Sequence, residues 1–195
     1  MSAASRDAFS RPVFDQTVTI HSSHAQRLLD RGFLLVVRAL SGIDVVLRIL
    51  GDDAEMDQVE EIVGKLIGEL AEELKAEHAR LAQLRETTGI SATPRYTNPK
   101  RITVHISSPQ LAQYTALIEE LDRLMTVMDA LWLTGVLTNK QRADGAYQWR
   151  TRVLRTGREI IEIERRARAS AEKRGKGEEL EGAEESEVAR QVPEE

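Results

Sequence analysis

At 195 residues the chain is long enough for one large or two small domains with a substantial core. It contains no cysteine, which excludes a disulfide frame and a thiolate metal site and fits a reducing, cytoplasmic compartment. The net charge of −5 hides a segregation: residues 1–88 hold 10 Lys/Arg against 15 Asp/Glu, residues 89–176 hold 16 against 9, and residues 177–195 hold 1 against 8. A basic segment between an acidic half and an acidic tail permits a nucleic-acid partner.

Residues 1–12 are small and polar, end at Pro12, lack the apolar core of a signal peptide, and read as disordered. From Val13 the chain becomes extended. Val18 and Ile20 fall on one face, and Thr17, Thr19 and His21 on the other, a period of two that predicts a strand over 16–21. Ser22 or Ser23 then caps a helix, with Gln26 as a capping-box partner. Its apolar stripe passes through Leu28, Leu29, Phe33, Val36, Val37 and Leu40, and Ser41-Gly42 is read as an interruption before a short second helix over 43–50. Residues 33–50 are rich in aliphatics, but Arg38, Asp44 and Arg48 make them a buried helical core rather than a membrane span.

Asp52 and Asp53 open the longest helical pattern, over about 54–88, with Met56, Val59, Val63, Leu66, Ile67, Leu70, Leu74, Leu81 and Leu84 forming a near-heptad seam. Gly64 and Gly68, four apart, predict close approach of a neighbouring helix. A polar loop with Pro94, Asn98 and Pro99 leads to the second alternating stretch, over 101–106. There Ile102, Val104 and Ile106 face in, and Arg101, Thr103 and His105 face out. Ser108-Pro109 follows as an N-cap with proline at the first helical position. The helix beyond is apolar for seven turns and reads as the centre of a bundle, and a last, arginine-rich helix runs to about Glu172. From residue 175 the composition offers almost nothing to bury, so 175–195 is read as a disordered acidic tail.

Two isolated strands need partners, and the economical arrangement pairs them with each other. The fold expected is mainly α: a helical bundle with long antiparallel helices carrying one two-stranded antiparallel β-ribbon. It is a single domain over 13–174 made of two strand-helix-helix halves, 13–89 and 99–174. Pairing within the chain is preferred, and pairing across a homodimer stays open. The paired serines Ser22-Ser23 and Ser107-Ser108, when aligned, shift the strand alternation by one residue, so similar architecture rather than duplication is read.

The chain has no phosphate-binding glycine loop, no nucleophile elbow and no HExxH motif, and Glu60, Glu61, Glu72 and Glu73 sit where a solvated helix face needs charge. An enzyme, a cofactor and a small-molecule substrate are therefore not expected. His21, His24 and His105 have no carboxylate at a matching spacing for a metal. An antiparallel ribbon, by contrast, can enter the major groove of double-stranded DNA and read base edges with outward side chains, here Thr17, Thr19 and His21 with Arg101, Thr103 and His105. Helix starts at Ser23 and Ser108 would present amides to the flanking phosphates. On the last helix Arg155–Glu159, Arg158–Glu162, Glu162–Arg166 and Glu164–Arg168 are four apart, which favours an internally paired surface over a phosphate contact.

Strand, serine-capped helix and second helix together resemble the ribbon-helix-helix DNA-binding proteins, with the departure that one chain holds both strands. The span from Val13 to about Arg168 also resembles the AcaB-type transcriptional regulators of integrating conjugative elements. The residues behind this are Phe-Asp-Gln-Thr-Val-Thr-Ile-His21 leading into Ala25-Gln-Arg-Leu-Leu29, then Leu131-Trp-Leu-Thr-Gly135. The resemblance implies a cytoplasmic, non-enzymatic regulator of transfer genes on a mobile element. The competing reading is an α-helical interaction or accessory protein of such an element, whose seam binds a partner helix and whose ribbon touches no DNA.

Overall fold

The computed structural model describes residues 12–50 and 53–180. Its element order is β1 (Phe14–Ile20), α1 (Ser23–Leu28), a π-helical turn (Leu29–Phe33), α2 (Leu34–Leu50), α3 (Asp53–Thr87), β2 (Lys100–Ile106), α4 (Pro109–Leu133) and α5 (Asn139–Lys173). The two strands pair antiparallel within the chain and form a two-stranded sheet. Among the described residues the fold is mainly α with one ribbon, as expected.

Alternation holds in both strands. Val18 and Ile20 of β1 and Val104 and Ile106 of β2 are buried against the helices, because β-branched side chains pack well on a pleated face. The register sets Thr17 opposite Thr103 at the centre, with Asp15 opposite His105 and Thr19 opposite Arg101. The helix start after β1 is capped by Ser22, whose buried hydroxyl accepts from the Ala25 amide; Ser23 is the first helical residue. Gln26 makes no capping box, and its side-chain amide donates instead to the carbonyls of Ile20, His21 and Asn98. Ser108 caps α4 by accepting from the Leu111 amide.

Identifying Ser22 as the cap removes the mismatch between the halves. Thr17 and Thr103 are 86 residues apart, and the same offset carries Val18 to Val104, Ile20 to Ile106 and Ser22 to Ser108. The paired serines were the wrong landmark, since only one of each pair caps a helix. The two strand-and-cap units are therefore related by a local two-fold axis through the Thr17–Thr103 pair.

Helix α4 lies at the centre, with Leu117, Ile118, Leu121, Leu124, Met125 and Leu131 fully buried. Helix α3 runs in the same direction as α4, since Val63 lies near Gln110 and His78 bonds Glu120. Helix α5 runs against α3 and α4, joining Glu73 through Arg152, Glu55 through Arg174 and Asp129 through Arg142. It runs parallel to α2, whose Val36 and Gly42 meet Gly157 and Glu164.

Three further expectations change. Ser41-Gly42 does not interrupt the helix: α2 continues through it, because small residues there admit α5. A Cβ on Gly42 would stand 3.1 Å from the Glu164 carboxylate. Gly64 and Gly68 have no such neighbour, with nothing within 4 Å of a Cβ built on either. Finally, the expected tail is structured at its start: residues 177–180 form a helical turn, and Leu180, 2 % exposed, packs with Val46 and Ala171 beside Ile49, Leu50 and Ala167. The rest of that tail, 181–195, and residues 1–11 lie outside the described residues. No helix among the described residues is long and apolar enough to cross a membrane.

Candidate nucleic-acid interface

The outward face of the ribbon carries six side chains: Asp15, Thr17 and Thr19 from β1, and Arg101, Thr103 and His105 from β2. All are exposed except the half-buried Thr19. At the centre the two threonine hydroxyls stand 3.4 Å apart across the strands. At one end His105 Nδ1 meets Asp15 Oδ1 at 2.5 Å. At the other end Arg101 faces Thr19 and pairs with no carboxylate among the described residues. Its neighbour Lys100 is held by Asp30. The face thus presents donors, acceptors and methyl groups over five residues of strand, about 13 Å.

His21, expected on this face, turns away from it. The strand ends at Ile20, and the carboxylate of Asp122 on α4 draws the next two residues inward. Asp122 accepts from the His21 amide at 2.9 Å, from His21 Nδ1 at 3.0 Å and from the Ser22 amide at 2.7 Å. A carboxylate that is 4 % exposed needs such donors, because a buried charge without them is costly. This contact clamps the ribbon to the central helix. It also fills with protein the amide positions just before α1, so Ser23 does not mark an open anion site, whereas no carboxylate bonds the start of α4 at Ser107 and Ser108 among the described residues.

One turn pair further along α4, Asp129 accepts from Tyr96 Oη at 2.8 Å and from Arg142 Nε at 2.5 Å, and Arg142 stacks over Trp132 at 4.5 Å. Tyr96 also contacts the His21 ring, 5.8 Å between centroids, so the loop before β2 is tied to the same clamp. Burial, more than the hydrogen bond to Thr126 can offset, raises the Tyr96 hydroxyl above its ordinary value. His24 lies close by with Nδ1 buried and unpartnered. Burial first, then the guanidinium groups of Arg142 and Arg150, lowers its imidazole below the ordinary histidine value. No group of three or more His, Asp or Glu among the described residues is placed to hold a metal.

No family model and no curated protein sequence matches the chain. A solved structure does: the crystal structure of selenomethionine-containing AcaB from uropathogenic E. coli is similar at a TM-score of 0.84 and 47 % sequence identity. The match covers 88 % of this chain and 89 % of AcaB. The chain belongs to the AcaB family.

In this AcaB-family chain the ribbon brings together Thr17, Thr19, Arg101, Thr103 and His105 from segments more than 80 residues apart, as alternation requires. Sequence reading missed Asp15, which shares its strand parity with Thr17 and Thr19; extending the alternation one step toward Phe14 would have found it. It also missed Asp122, whose role depends on a contact about 100 residues away in sequence. The arginines of α5 largely serve the bundle. Arg155 bonds Glu159, Arg165 bonds Glu162, Arg168 bonds Glu164, and Arg152 joins Glu73 while stacking on Trp149.

Proposed function

We propose that the protein is a DNA-binding transcriptional regulator of an integrating conjugative element, acting in the cytoplasm without enzymatic chemistry. It reads the major groove of double-stranded DNA with the outward face of the β1–β2 ribbon. The observation that carries this reading is the ribbon itself: an exposed antiparallel pair with Thr, Arg and His facing out, each strand leading into a serine-capped helix. A two-stranded ribbon fits the major groove, arginine pairs with guanine, and threonine offers both a hydroxyl and a methyl to thymine or adenine. Family membership supports a regulator, since AcaB shares the fold over nearly its whole length.

A second reading, a helical accessory protein of a conjugative element with no DNA contact, is favoured by one observation. A groove of about 620 Å³ opens between α2, α3 and α5, lined by Leu47, Leu50, Val59, Ile62, Leu66 and Ile163. Such apolar concavity suits a protein or ligand partner. Electrophoretic mobility measured on DNA from the gene's own neighbourhood, at two salt concentrations, separates the two. The regulator reading expects a sequence-dependent shift that weakens as salt rises. If no such DNA shifts at either salt, the accessory reading stands.

A further inference from the structure

The outward face of the ribbon is symmetric in position and asymmetric in chemistry. The local two-fold axis equates Thr17 with Thr103, Asp15 with Arg101 and Thr19 with His105. A ribbon built from two identical chains would repeat one residue at each such pair, and its face would suit a two-fold symmetric site. Here both strands belong to one chain, and only the central pair is the same residue twice. One end offers Arg101 beside Thr19; the other offers the Asp15 carboxylate beside His105.

We propose that the ribbon reads a non-palindromic DNA site in a single orientation, with Arg101 selecting guanine on one strand at one end and Asp15 selecting cytosine on the opposite strand at the other. This rests on the DNA-binding reading above. A guanidinium donates two hydrogen bonds to guanine O6 and N7, whereas a carboxylate can only accept, and cytosine N4 is a donor that stands in the major groove free of a neighbouring acceptor on the same base. His105, bonded to one oxygen of Asp15, orients the carboxylate and leaves the other oxygen for the base. The central threonines contribute the same hydroxyls and methyls whichever way the ribbon lies, so the ends alone fix orientation. From Asp15 to Thr19 the face covers about 13 Å, or roughly four base pairs. Turned end for end on its site, the ribbon would set Asp15 against guanine acceptors and Arg101 against a cytosine amino group. Two such mismatches weaken binding by about a hundredfold.

Selection of binding sites from random duplex DNA by the full chain tests this, in parallel with Asp15→Arg/His105→Thr, which makes the outward face two-fold symmetric. The expected result is a wild-type motif whose four-base-pair unit lacks two-fold symmetry, and a symmetric motif for the double variant. The isosteric Asp15→Asn, at an exposed position, keeps the assay decisive if the double variant fails to fold. It should relax base preference at one end of the motif and preserve it at the other. A palindromic unit for the wild type, or unchanged base preference in Asp15→Asn, overturns the inference and leaves DNA binding intact. Failure of the wild type to enrich any sequence overturns the DNA-binding reading, and this inference falls with it.

Discussion

Thr17 and Thr103 face each other at the centre of the ribbon, their hydroxyl oxygens 3.4 Å apart, on the axis that relates the two strand-and-cap units. One step outward from that pair lie the inward residues Val18, Ile102 and Val104, with the half-buried Gln16 in the fourth place, and two steps outward lies the next outward polar residue. The same pleat therefore sets both the core beneath and the polar surface above.

Arg101 is exposed, pairs with no carboxylate among the described residues, and lies on the outward side of β2. Arg101→Ala should reduce specific DNA affinity by about 1–3 kcal/mol and leave the melting temperature nearly unchanged. Val104→Asp, on the inward side, should unfold the ribbon, because it sets a carboxylate among apolar side chains. Parallel binding isotherms and melting curves check both, and equal affinities for wild type and Arg101→Ala would remove the arginine from the interface.

The clamp at Asp122 joins three donors from the β1–α1 junction to one carboxylate. Asp122→Ala should cost about 2–3 kcal/mol, since it leaves the buried Ser22 amide without a partner. In a chain of this size that lowers the melting temperature by roughly 4–12 °C. A change of under a degree would show that water replaces the carboxylate.

Two glycines in helix interiors should respond with opposite signs to alanine. At Gly157 a Cβ would come within 2.8 Å of Val36 Cγ2 and 3.0 Å of Tyr114 Oη, both from buried residues, so Gly157→Ala should destabilise by about 1–3 kcal/mol. At Gly64 nothing lies within 4 Å, and Gly64→Ala should stabilise by about 0.5–1 kcal/mol through helix propensity alone. Denaturant titration of the two variants reads the difference directly.

Leu180 closes a small apolar cluster with Val46 and Ala171. Leu180→Ala should cost about 2 kcal/mol, a loss that composition alone did not anticipate for this acidic stretch. Thermal melting of Leu180→Ala beside wild type is the check, and superimposable curves would show that the contact contributes nothing.

His24 ties stability to pH. Its folded-state pKa lies below the ordinary 6.5, so in the native protein the imidazole stays neutral where the unfolded chain takes up a proton. Unfolding therefore binds protons, and this contribution is lost as pH falls from about 6.5 toward the lower folded value. Melting temperature should drop more steeply between pH 7.5 and 5 in wild type than in His24→Gln; parallel profiles would exclude this residue.

The strands, their inward and outward sides, the cap at Ser108 and the long helices were legible in the sequence because each depends on neighbours within a few residues. Alternation needs only the period-two geometry of a strand, and a cap needs only a hydroxyl three residues before the amide it serves. Tertiary contacts decided the rest. Ser41-Gly42 became helix interior because Glu164 of α5 packs there, while Gly64 and Gly68, the same residue type at helical spacing, met no neighbour at all. Ser22 rather than Ser23 became the cap where Asp122 fixes the preceding amides, and His21 left the outward face for the same carboxylate. Leu180 acquired a core partner only because α2 and α5 run side by side to their ends. The physical reason is one of range: backbone geometry repeats along the chain and can be read from it, whereas a buried contact depends on which distant side chain the fold delivers to that point.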